Sequence, residues 1–294
     1  RENRPLMWWY AFIPAVLNTL IGIVYLLYQF FAFKRSPLFE NASQSFLTEL
    51  IGDIVDFFGT RQQWWMPALI VVGATLILYV LLPTLFQGAL IQIIAKRRQG
   101  EHIRPIEGIS LGLLVFLPLF EYHLLIKTFS FFSFFTEGAF VLRNLGPNAL
   151  NILLPVFILA ALIGFILTLL FTYTDFFIVL DKKPVLSSMG HSAKLVLLSW
   201  QHTFLIAILM LIIGVRILIN ILAVLLVPAL LIFSAGAIAT ISFSTIGLVI
   251  GGALSVVGLF VASYFTGILN VFANTVWTYT FLVLKNEPRT KEFL

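Results

Sequence analysis

Cysteine is absent from this chain of 294 residues, and charge is scarce: Asp, Glu, Lys and Arg together make up 11%. Without thiols there is no disulfide, no thiolate metal site and no cysteine nucleophile. The four histidines, His102, His123, His191 and His202, are scattered. None stands at the H-x-x-x-H spacing with which one helix face holds a metal ion, so no metal and no cofactor is expected. What fills the chain instead is apolar: 60% of it, including 30 Phe and 6 Trp. A soluble domain has about 45–50% apolar and about 25% charged residues. An aqueous surface cannot be built from this composition, whereas lipid accepts it. The net charge of +5 sits in short basic patches between apolar runs, as membrane insertion produces. No basic stripe is long enough to track a phosphate backbone, so nucleic acid is not an expected partner.

A membrane-spanning helix needs about 20 mostly apolar residues, more if tilted. Six spans follow, at about 8–33, 66–95, 107–135, 149–180, 202–233 and 246–284. The runs do not alternate apolar with polar residues, which excludes a β-barrel reading. The fold class is therefore all-α: a polytopic integral membrane protein forming one transmembrane domain over 1–294. The first span ends at Phe33-Lys34-Arg35 and is longer than the apolar region of a signal peptide, so it reads as a retained anchor. Pro228 and Ser234-Ala235-Gly236 mark the break between the last two spans. Twelve cations fall on one side of this layout: Arg1, Arg4, Lys96, Arg97, Arg98, Arg104, Lys182, Lys183, Lys194, Lys285, Arg289 and Lys291. The other side has Lys34, Arg35, Arg61 and Arg143 beside Glu40, Glu49, Asp53, Asp56 and Glu137. The excess of Lys and Arg on the first side puts both termini in the cytoplasm, of a bacterial or archaeal plasma membrane.

Two connecting segments read as amphipathic helices on the membrane surface. In the first, Phe46, Leu50, Ile54 and Phe57 form the apolar face. In the second, after Pro184, the face is Leu186, Met189, Ala193, Val196 and Trp200. A faint internal echo relates Thr172-Tyr173-Thr174-Asp175-Phe176-Phe177 before Lys182 to Thr275-Val276-Trp277-Thr278-Tyr279-Thr280 before Lys285. Aromatic helix ends near an interfacial lysine account for it as well as a repeat does.

Gly108-Ile109-Ser110-Leu111-Gly112 matches the nucleophile-elbow pattern, but no strand precedes it and no acid–histidine pair is placed to complete a triad. At the start of a membrane helix these are packing residues. Gly247, Gly251 and Ser255 likewise put small residues on one face for helix packing, within the chain or between two copies. Asn41-Ala42-Ser43 is a glycosylation sequon on the outer side. The costly residues are the charges within spans: Glu121, His123 and Lys127 in the third, Asp175 near the end of the fourth and Arg216 in the fifth. Lys127 can snorkel to the interface. Glu121 and Arg216, each about midway along its span, are expected to meet. Glu121, His123, Arg216 and Asp175 are the candidate substrate or ion pathway; the alternative is a structural ion pair.

Three segments carry a resemblance. Phe177-Ile178-Val179-Leu180-Asp181-Lys182 leads into Val185 to Leu195 and Ser199-Trp200. Trp277-Thr278-Tyr279-Thr280-Phe281 is followed by Lys285 and Glu287. Phe86-Gln87-Gly88-Ala89 leads to Arg97 and Gly100. These are similar to segments of a loose superfamily that includes the membrane domain of some glycerophosphodiester phosphodiesterases and the YciC-type inner-membrane proteins. Where that pattern has Ala-Leu before its basic residue, this chain has Ser188-Met189-Gly190-His191-Ser192. The catalytic domain of the phosphodiesterases has no counterpart here. The resemblance implies a membrane module concerned with lipid or envelope, not phosphodiester hydrolysis. The expected function is that of a non-enzymatic scaffold, complex subunit or envelope-maintenance factor, and the alternative is a transporter or lipid-handling protein. Expected partners are membrane lipids, with other membrane subunits or a second copy as further candidates.

Overall fold

The computed structural model describes residues 4–34, 46–101, 103–127, 131–216, 218–219 and 246–287, and among these no strand occurs. The elements are α1 (Arg4–Lys34), α2 (Phe46–Thr60), a 3-10 turn (Gln62–Trp64), α3 (Trp65–Arg98), α4 (Pro105–Lys127), α5 (Phe131–Leu170), α6 (Thr174–Asp181), α7 (Val185–Leu198), α8 (Trp200–Arg216) and α9 (Ile246–Asn286). Five helical stretches are long and apolar enough to cross a membrane, and a sixth joins them if α7 and α8, bent by 96°, form one broken span. Lipid offers no hydrogen bonds, so such runs satisfy their backbone internally as helices. Residues 220–233, Pro228, the Ser234-Ala235-Gly236 break, the sequon at 41–43 and His102 lie outside the described residues.

Three boundaries differ from the sequence reading. The span expected over 107–135 is α4, ending at Lys127. The next helix begins at Phe131 and bends at Gly146. There φ is 82° and ψ 175°, a conformation nearly confined to glycine; Pro147 then starts a fresh helical arm without needing an N–H partner. The helix expected over 149–180 is interrupted at residues 171–173, between α5 and α6.

Packing is concentrated at one end of the molecule. In α3 the residues from Gly88 to Ala95 are all buried, while the first half exposes Met66, Ile70 and Val71. An apolar helix exposed in this way is solvated by lipid. Helices α1 and α9 run antiparallel: Trp8 meets Tyr264 and Phe12 stacks on Phe260. Helices α3 and α4 pack closely enough for Gln92 Nε2 to donate to the Leu111 carbonyl at 3.0 Å. The Gly108-x-Ser110-x-Gly112 motif lies in this contact. A side chain at Gly108 would strike the Tyr10 ring, and a Cβ at Gly112 would sit 2.5 Å from the Leu85 carbonyl oxygen. Ser110 Oγ donates to its own helix at Glu107 O. The motif thus acts as a packing surface. Because the obstacle at Gly112 is backbone, Gly112→Val is expected to cost about 1–3 kcal/mol, read as a lower melting temperature in detergent.

The two amphipathic segments do form helices. On α2, Leu50, Ile54 and Phe57 remain exposed, so protein does not cover its apolar face. On α7 the expected face is corrected in part: Val196 is buried and Met189 packs on the core, as expected. Leu186 and Trp200 point outward, 77% and 60% exposed, and the buried face is Val185, Ser188, Ser192, Leu195 and Val196. The Ser188 and Ser192 hydroxyls bond to backbone, and their small size admits close contact. Gly247, Gly251 and Ser255 lie along α9, with side-chain surroundings outside the described residues.

Candidate functional site

Two of the four intramembrane candidates come together. His123 Nε2 on α4 lies 3.3 Å from Asp175 Oδ1 on α6. Asp175 Oδ2 accepts a hydrogen bond from Gln87 Nε2 on α3 at 2.7 Å. On the other side of the imidazole, Nδ1 is 3.4 Å from Thr84 Oγ1, also on α3. One acid–base pair therefore ties three helices. Gln87 is nine residues from Lys96, which at 1.5 Å per residue is about 14 Å along the helix. That is close to the middle of a hydrocarbon layer of about 30 Å. The side chains are 27% and 18% exposed, so the pair is mostly enclosed. Asp175 Oδ1 is buried and receives no hydrogen bond: the ring is near enough for ion pairing but is not aligned to donate.

Glu121 and Arg216 do not join them. Both are exposed, and no ion pair links them among the described residues. Equal depth was the basis for expecting contact, but depth leaves the facing direction open. Successive helical residues turn by about 100°, so Glu121 and His123 leave α4 in nearly opposite directions. The side chain of Lys127 lies outside the described residues. Arg143, counted among the cations of the other side, lies within α5 and is 8% exposed. Its Nη1 donates to Gln29 Oε1 on α1 at 2.7 Å, with the guanidinium near the rings of Tyr28 and Phe140.

Below the pair, α6 and α7 fold back into the core. The break at 171–173 strands two backbone groups, and one hydroxyl takes both. Ser192 Oγ donates to Leu170 O at 2.8 Å and accepts from Tyr173 N–H at 3.0 Å. The Tyr173 ring is fully buried against Trp277 and Phe281, and its hydroxyl lies 3.1 Å from Thr203 Oγ1 on α8. Phe177 also packs on Phe281, and Lys285 Nζ reaches Asp181 Oδ1 at 2.6 Å. The two echoing segments are thus packed against each other. The segments singled out by resemblance contribute Phe177, Ile178, Val179, Val185, Leu195 and Phe281 to one continuous core that also holds Ile91 of α3.

The turn after α6 has an uncommon feature. Lys182 caps the helix with φ 52° and is the single non-glycine residue with positive φ among those described. A left-handed non-glycine residue costs about 1–2 kcal/mol, and glycine is the usual occupant. Lys182→Gly is therefore expected to raise stability by about 1 kcal/mol, visible as a higher melting temperature.

Gln87 and Thr84 escaped sequence reading because amides and hydroxyls within an apolar run read as packing residues. The usable signal was that a buried carboxylate must find donors. Comparison with known protein families, curated proteins and solved structures finds no match.

Proposed function

We propose that this chain is a non-enzymatic polytopic membrane protein that serves as a scaffold, complex subunit or envelope-maintenance factor. One observation carries the reading: the His123–Asp175 pair is held by Gln87 and Thr84 and joins α3, α4 and α6. A pair used in this way fixes helix positions, the structural role that many intramembrane charge pairs play. The outward faces of α3, α5 and α8 are broadly apolar, suited to lipid and to other membrane helices. The resemblance to membrane modules concerned with lipid or envelope agrees with it. Basic residues of α3 and the α6–α7 turn border one cavity. With the surplus of Lys and Arg on that side, this supports a plasma-membrane protein with both termini in the cytoplasm.

The unbonded Asp175 Oδ1 favours a second reading, in which the pair lies on a proton or substrate route. Reconstituted vesicles carrying an internal pH dye separate the two. The scaffold reading expects proton entry under an imposed gradient to equal that of empty vesicles. Entry that rises with protein and disappears in Asp175→Asn would replace it with the transport reading.

A further inference from the structure

At the packed end, a cavity of about 700 Å³ lies between α3, α4, the α6–α7 turn and α9. Three cations border it: Lys96, Arg98 and Lys182. Lys96 is partly neutralised by Glu101 at 3.2 Å. Asp181, the carboxylate in the lining, is taken by Lys285 at 2.6 Å. Arg98, whose guanidinium lies 5.3 Å from the Tyr279 ring, and Lys182 have no carboxylate partner among the described residues. The rest of the wall is mixed: Gln92, Gln99 and Asn286 on one hand, and on the other an apolar strip that includes Leu111, Leu114 and Leu282, of which Leu114 is 72% exposed. Unneutralised cations beside an apolar strip in one cleft, at the end of membrane helices, match an amphiphile with an anionic head. A soluble anion would have no use for the leucines.

We propose that this cavity binds an anionic glycerophospholipid, its phosphate against Arg98 and Lys182 and an acyl chain along Leu111, Leu114 and Leu282. This goes beyond the scaffold reading and does not depend on it. Basic pockets between membrane helices on the cytoplasmic side suit such headgroups. Lys182 holds its cation at a backbone position that glycine would occupy without strain.

The test uses the full chain purified in a mild nonionic detergent. Native mass spectrometry and thermal unfolding are followed during titration with phosphatidylglycerol, phosphatidylcholine or glycerol 3-phosphate. The expected result is a retained phosphatidylglycerol adduct and a raised melting temperature with that lipid alone. In Lys182→Gly with Arg98→Gln, apparent affinity should fall roughly thirtyfold, about fivefold for each cation removed. Lys182→Gly alone relieves strain, so its fivefold loss cannot be blamed on poor folding. Equal binding of phosphatidylcholine would overturn the proposal, as would unchanged phosphatidylglycerol affinity in the variants. Stabilisation by glycerol 3-phosphate at the same concentrations would reassign the cavity to a soluble anion.

Discussion

His123→Leu is expected to destabilise the protein by about 3–5 kcal/mol, the cost of leaving one member of a buried ion pair behind. The carboxylate of Asp175 would keep its bond from Gln87 but lose the imidazole partner 3.3 Å away. The double variant His123→Leu with Asp175→Leu should recover most of the loss, because apolar residues of similar volume pack where the pair was. A thermodynamic cycle over the four proteins, unfolded reversibly in mixed micelles, gives the coupling directly. A double variant whose loss equals the sum of the two single losses would show that the pair contributes nothing as a pair.

Ser192→Ala should cost about 1–3 kcal/mol for each of two backbone groups it orphans. The Leu170 carbonyl and the Tyr173 N–H both use the Ser192 hydroxyl, and the serine is fully buried. Water has no ready access there, and the break at 171–173 diverts the partners a continuous helix would supply, the Thr174 N–H to Phe171 O and the Leu169 carbonyl to Thr172 N–H. The effect should appear as a lower melting temperature and as faster amide exchange at Tyr173. If Ser192→Ala melts with the native protein, the α5–α6 break is held by something other than this hydroxyl.

What the sequence made legible, and what it hid, follows from the range of the interactions involved. Helix-forming apolar runs are a local property, so α1, α3 and α9 match their expected spans closely. The bend at Gly146-Pro147 is also local, since that dipeptide punctuates chains strongly. The break at 171–173 was not local, since its partner hydroxyl comes from 22 residues downstream. The face of α7 was misjudged because hydrophobic periodicity sorts serine outward. In a membrane protein the apolar residues Leu186 and Trp200 can face lipid while Ser188 and Ser192 pack inward. Asp175 and His123 were recognisable as costly residues, yet their pairing depended on rotational phase, which residue type does not reveal. The echo of Tyr173 and Trp277 proved to be a contact between the two segments.

In the proposed role, the His123–Asp175 pair holds helices together rather than carrying protons or substrate. The most direct measurement is complementation: a deletion strain with an envelope defect, expressing the His123→Leu, Asp175→Leu double variant at the native membrane level. A structural pair predicts that the folded double variant restores the envelope as the native protein does. A double variant that is folded and present at that level, yet fails to restore it, would contradict the account.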